Sequence, residues 1–308
     1  DALRGLGHGC GHHMQGPACL GAAAALKNLD TDRPFRIVVY GTPAEETLGS
    51  KCDMIKKGCF HDLDVAFMMH GGPNTCTDVR CLAQRSFHVT FHGKRAHAAL
   101  APDKGRSAFD ALLAAFQGIE FLREHVPDDV RMHYTVAKLP GPANVVPAEA
   151  EGEFAIRSFS RKTLEGVCER FLDIIKGASL IAGVDYEIKE GTFFFNKIPV
   201  LKLNELLMDN ARLAGAPQLA PPREKTGSTD FGNVMYEIPG SCIRVAFVPE
   251  GTPSHSQEFV DAGKTEAAHN CILYGAKAIA GASLDLIMTD GLMDQVKAEF
   301  AENKKKNQ

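Results

Sequence analysis

The sequence predicts an α/β fold in which a ferredoxin-like domain, residues 84–191, is inserted into a layered α/β domain made of residues 1–83 and 192–308. Two changes of texture predict it. Towards both ends of the chain, continuous apolar runs alternate with helical stretches, the βαβ rhythm of strands covered by helices on both faces. In the middle, apolar and polar residues alternate strictly, as in strands with one wet face, and the elements follow the order βαββαβ.

In the first segment, residues 16–29 form a small-residue helix directly behind His8-Gly9-Cys10-Gly11-His12-His13. Residues 35–41 read as a buried strand that runs through Thr42-Pro43-Ala44 into Glu45-Glu46. A helix over 49–58 and a strand over 64–69, which stops at His70, complete this half. The inserted domain opens with Phe87, Val89 and Phe91 alternating against His88, Thr90 and His92. A helix over 106–125 then sets Phe109, Leu112, Leu113, Phe116 and Ile119 on one stripe. Strands around 130–136 and 154–156, a helix capped by Ser160 and a strand near 184–188 finish it. Beyond 191 come a helix over 200–213, a loop carrying Gly227-Ser228-Thr229-Asp230, a strand over 243–248, the turn Thr252-Pro253-Ser254-His255-Ser256 and a helix over 264–282.

Composition narrows the class. With 308 residues, 44% hydrophobic and 23% charged, the chain can bury a full core. A net charge of −4 without a dense basic block argues against nucleic acid as a partner, and Lys304-Lys305-Lys306 reads as a solvated, frayed end. The apolar runs are short and interrupted, and residues 1–15 lack the order of a signal peptide, so no membrane partner is expected. Nine cysteines, an odd number at irregular spacing, point to a reducing compartment, the cytoplasm. Cys19, Cys168 and Cys271 fall in apolar helical faces; Cys10, among glycines and histidines, reads as the working thiolate.

The chemistry gathers on a few residues. Cys10 and His12 fill only two positions of an ion; Glu46 and His70, at the ends of apolar runs, and His255, in a Pro-Ser turn, are the candidates for the rest. Sulfur, nitrogen and carboxylate in this mix suit one or two divalent ions, zinc or manganese. Of the adjacent Glu45 and Glu46, one can bind metal while the other stays free as a general base.

These residues resemble a known family. His8-Gly9-Cys10-Gly11-His12, Pro43-Ala44-Glu45-Glu46, His70, Gly93-Lys94-Arg95-Ala96-His97, Asn144-Val145-Val146-Pro147, Arg157 and His255-Ser256 occur in the order of the metal-dependent aminoacylases and carboxypeptidases. The branch is similar to the amidohydrolases of auxin conjugates and p-aminobenzoyl-glutamate. The resemblance covers essentially the whole chain and implies a zinc-peptidase-like catalytic domain with the insertion as a dimerisation or lid domain. It makes Cys10, His12, Glu46, His70 and His255 the ligands and Glu45 the base. His97 becomes an oxyanion donor lent across a homodimer, and Asn144 and Arg157 hold a substrate carboxylate. Ser228-Thr229-Asp230 is expected to orient a ligand histidine. The implied reaction is amide hydrolysis in an N-acyl or N-aroyl amino acid or a small dipeptide. Asp1-Ala2-Leu3 looks like the end of an earlier motif, with a further segment of the catalytic domain expected ahead of it. The lack of that segment in this sequence, and His13 where the family has Asp or Asn, motivate the alternative of a catalytically silent member that binds a ligand or partner.

Overall fold

The computed structural model describes residues 7–307, so Asp1-Ala2-Leu3 lies outside the described residues. In chain order the elements are α1 (Gln15–Lys27), α2 (Ser50–Lys56), β1 (Ala66–Gly72), β2 (Cys76–Cys81), β3 (Ala83–His92), β4 (Ala96–His97) and α3 (Ala108–Arg123). There follow β5 (Arg131–Lys138), β6 (Val145–Val146), β7 (Glu149–Ser158), α4 (Arg161–Ala182), β8 (Asp185–Phe194) and α5 (Leu201–Leu213). The last are β9 (Arg223–Thr226), α6 (Phe231–Glu237), β10 (Gly240–Ala246), α7 (Gln257–Ala262), α8 (Glu266–Met288) and α9 (Leu292–Asn307). The chain divides into two compact units, Asp1–Cys81 with Lys197–Gln308, and Leu82–Asn196. Where the sequence ended the insertion at 191, the structure carries it to Asn196, because β8 stays paired with β3 as far as Gln84↔Phe194.

The first unit is built on a sheet of order β1-β10-β2-β9. β1 and β10 run parallel with Met68 opposite Cys242 and His70 opposite Arg244, β2 is antiparallel to β10, and β9 parallel to β2. Met69, Ile243 and Val245 enter a core with Ala18 and Ala22 of α1 and Cys271 and Ala278 of α8. Small residues let these layers close up: a Cβ at Gly275 would stand 2.6 Å from Cγ of Met69, so bare backbone seats α8 against β1. By length and composition α8 is apolar enough to cross a membrane, with a mean hydropathy of 1.5. Here one face of it belongs to the core.

Three expectations are corrected. Residues 35–41 form no strand, and Phe35, Ile37, Val38 and Val39 are 37–41% exposed instead of buried. A strand needs a neighbour for its N–H and C=O groups, and among the described residues this run has none; Arg36 instead bonds the carboxylate and carbonyl of Asp62. The run walls a cavity of about 1180 Å³ together with α1, β1 and α8. Second, β2 and β9 join the sheet although neither has an apolar pattern. Third, Lys304–Lys306 is not frayed: α9 includes it, and Lys304 Nζ donates to the carbonyl of Tyr236.

The second unit carries a four-stranded antiparallel sheet of order β5-β7-β3-β8, covered by α3 and α4. Phe87, Val89 and Phe91 all face the core, where Phe87 and Phe154 meet Phe171 at ring distances of 4.8 and 5.1 Å. Ser107 and Ser160 cap the two helices by accepting from the amides of Asp110 and Thr163, and Gly183 ends α4 with a φ of 62°.

Candidate metal centre

The ligand loops are shaped by backbone that few residues tolerate. Gly11 has φ 70°, and the turns Gly11 N–H to His8 and Met14 N–H to Gly11 set Cys10 and His12 on a tight loop, with Met14 buried behind it. Ala44 has φ 62°, and its carbonyl accepts from Thr47, Leu48 and Gly49 to aim Glu45 and Glu46. His255 has φ 64° and donates its N–H to Gly9 over 2.7 Å, which ties the last ligand turn to the first. Non-glycine residues in this region are costly and cluster at functional sites.

The five expected ligands come together in the first unit. Cys10 Sγ lies 3.4 Å from Nε2 of His70, and Oε1 of Glu46 lies 3.9 Å from Nε2 of His12 and 3.8 Å from Nε2 of His255. Three donor groups overlap, Cys10/His12/His70, Cys10/Glu46/His255 and His12/Glu45/Glu46, each with its donor atoms within 4.8 Å. Two ligands bound tetrahedrally at zinc distances stand about 3.4–3.8 Å apart. The donor set therefore fits divalent ions.

The charges point the same way. Burial, then Glu46 and Glu45, push the Cys10 thiol up to about 12, a cost that a neighbouring divalent cation would reverse. Burial and the Arg244 guanidinium hold His70 well below the ordinary imidazole range, and burial lowers His12 against the pull of Glu46. Glu45 is raised by burial and by Asp230. His70 Nδ1 lies 2.6 Å from the Gly71 carbonyl and 3.1 Å from Arg244, and one ring nitrogen does not serve both. Donation to Gly71 is the tautomer that frees Nε2 for an ion.

Several further residues support this cluster, and of these pattern reading missed Lys51, Asp78, Lys197 and Arg244. Lys51 and Asp230 form a buried pair at 2.8 Å, and the Lys51 amide also donates to Asp230. The adjacent Thr229 hydrogen-bonds Glu45, so the 228–230 turn steadies a glutamate where a histidine was expected. Beneath His70, Asp78 binds Lys197 and Arg244 at 3.0 and 2.9 Å. No spacing or periodicity flags a buried charge of this kind. His13 turns to the carbonyl of Gly263 at 2.8 Å and joins none of the donor groups.

His97, Asn144 and Arg157 stand in the second unit. His97 on β4 pairs with Val145 on β6, so Asn144 is its close neighbour, and the Asn144 carbonyl accepts from Ala98. The amides of Ala99 and Leu100 donate to Nδ1 of His97, each at 3.3 Å. Arg157 lies on β7, half-buried, with a buried Nε that has no hydrogen-bond partner.

Comparison with known proteins decides the family. The profile of Peptidase family M20/M25/M40 matches residues 2–280. The chain belongs to this family. It is 32% identical to the Xaa-Arg dipeptidase of Mus musculus over 97% of this chain and 71% of that protein. It is 28% identical to one of the polypeptides of the p-aminobenzoyl-glutamate hydrolase of Escherichia coli, over 95% of this chain and 73% of that polypeptide. The fold is shared with a dinuclear metal binding M20 peptidase of Bacillus subtilis, at a TM-score of 0.67, 18% identity, and coverage of 92% of this chain and 74% of that one. This member of the family is a metal-dependent amidohydrolase. The silent-member alternative finds no support among these relatives.

Proposed function

We propose that Cys10, His12, Glu46, His70 and His255 hold two divalent ions, zinc or manganese, and that Glu45 is the general base for hydrolysis of N-acyl or N-aroyl amino acids or small dipeptides. The overlap of donor groups carries this reading: the five proposed ligands form two groups, Cys10/His12/His70 and Cys10/Glu46/His255, that meet at Cys10. When bound, the ions acidify water and polarise the scissile carbonyl. Glu45 takes the water's proton and returns it to the leaving amine, a task suited to a carboxyl raised by burial. Thr229 fixes its direction.

Three residues of the second unit complete the proposal. Because Nδ1 of His97 accepts two amides, a neutral ring carries its proton on Nε2, free to donate to a developing oxyanion. Arg157, with its unpartnered Nε, and Asn144 hold the substrate's α-carboxylate. A homodimer is proposed through this unit, whose sheet ends on β5 and β8. Nine free cysteines support a reducing, cytoplasmic setting. The relatives' names suggest trial substrates with arginine or glutamate on the amine side.

The test is exhaustive chelation followed by elemental analysis and assay on a panel of N-acyl amino acids. Activity should vanish and return with zinc or manganese; undiminished hydrolysis by metal-free protein would end the proposal. Mixing His97→Ala with Glu45→Gln protomers should restore activity if the histidine serves its neighbour, and a mixture no faster than the mean of its parts removes that role.

A further inference from the structure

We propose that Arg223 and Arg244 form an anion subsite beside the metal centre, which receives the side-chain carboxylate of an acidic amino acid on the amine side of the scissile bond. This rests on the amide-hydrolase reading of the same cavity and names its substrate class.

The subsite follows from strand geometry. Side chains two apart on a strand share a face, and laterally paired residues share it too. Met68 and His70 on β1 therefore face the same way as Cys242 and Arg244, their partners on β10. Arg244 is opposite Cys76, two residues from Asp78, and Asp78 is opposite Arg223 on β9. One row thus crosses the sheet, from His70 through Arg244 and Asp78 to Arg223. It floors a cavity of about 250 Å³ whose walls include Cys10, Glu46, Ser228 and His255. The metal ligands and this row share one chamber.

The row carries unbalanced charge. Asp78 is committed, with Lys197 on Oδ2 at 3.0 Å and Nε of Arg244 on Oδ1 at 2.9 Å. Arg223 is the third cation about the same carboxylate, at 3.8 Å, beyond hydrogen-bond reach, and its side chain is 41% exposed. Lys197, Arg223 and Arg244 against Asp78 leave a surplus of two positive charges, three minus one. The cavity's remaining acids, Glu45 and Glu46, are those assigned to the water and the ions. A guanidinium offers five donors, and a carboxylate entering the chamber would meet an unfilled fork on Arg223. The same surplus repels a cationic side chain.

The test compares parent protein with Arg223→Gln, a half-exposed position where the fold should survive, on N-acetyl-glutamate, N-acetyl-glutamine and N-acetyl-arginine. Calorimetric binding of glutarate and butyrate, which differ by one carboxylate, is read in parallel, with metal content checked. The parent should prefer glutamate, and Arg223→Gln should lower kcat/KM on glutamate at least about tenfold more than on glutamine, mainly through KM. It should also weaken glutarate about tenfold relative to butyrate. A parent that hydrolyses glutamine or arginine conjugates better, or equal losses on all three, overturns the subsite and leaves the amide-hydrolase reading standing. A protein that cleaves none of them yet loses its glutarate preference with Arg223→Gln keeps the subsite and sinks the hydrolase reading. Equal binding of glutarate and butyrate by the parent also overturns the subsite.

Discussion

The two units of this chain bury different things. The second fills its core with Phe87, Phe91, Phe154, Phe171 and aliphatic side chains, and no charged residue in it is buried among the described residues. The first buries Lys51, Asp78, Lys197 and Asp230, all of them around the ligand cluster. A buried ion pair is often no better for stability than a well-packed hydrophobic replacement. Its presence only where the donors converge teaches that the first unit accepts a weaker core to hold side chains in fixed directions. The second unit is a packing solution; the first is a compromise with chemistry.

That contrast is open to attack at its strongest point first. Glu45→Gln should keep its metal and slow hydrolysis by roughly 10² to 10⁴. Loss of metal by elemental analysis, or near-normal turnover, would mean that the two glutamates have been given each other's roles.

The buried pair comes next. Asp230→Asn leaves Lys51 charged without its partner and should cost about 3–5 kcal/mol in urea unfolding. Lys51→Met combined with Asp230→Leu should recover most of that stability while hydrolysis stays slow, because the turn bearing Thr229 loses its anchor. Recovery of both would show that the pair serves packing alone.

Acid gives a graded version of the same test. Burial alone would raise the Asp78 carboxyl, but Lys197 and Arg244 outweigh it and hold it well below the usual carboxylate range. A carboxyl depressed in the native state contributes stability that is fully present above its unfolded value, about 3.9, and is lost as pH falls below that towards the native value. Unfolding midpoints measured from pH 5 downward should fall below about pH 4 in the parent. In Asp78→Asn that acid-dependent fall should be smaller from a lower starting stability, and identical slopes would remove Asp78 from the account.

The smallest effect belongs to the second unit. Ser160→Ala removes the cap of α4 and should cost about 1 kcal/mol, with kcat/KM per folded molecule unchanged. A change in kinetics larger than in stability would mean that the units are less separable than their cores suggest.

What could be read in advance divides along the same line. Alternation, amphipathic stripes and the Ser160 cap are local, so the second unit's elements were legible residue by residue. The donor residues that cluster were legible because cysteine, histidine and paired glutamates beside glycine and proline have few other uses. β2 was not, since Thr77 and Asp78 are polar yet buried, and β9, Arg-Glu-Lys-Thr, has no apolar residue to announce a strand. Residues 35–41 failed in the opposite sense: the run has strand composition, but pairing is a property of the neighbour. The left-handed turns at Ala44 and His255 leave no mark in residue type at all.

That unpaired run has a consequence at the bench. Phe35, Ile37, Val38 and Val39 are partly open to solvent, and they wall the same chamber as β1, which among the described residues ends its sheet with one edge unpaired. An apolar run and a bare strand edge together are a template for self-association. This 308-residue chain should light up environment-sensitive dyes while still folded, and its stocks should cloud as concentration rises, soonest near the pI of 6.3 where charge repulsion fades. Val38→Lys should delay the clouding.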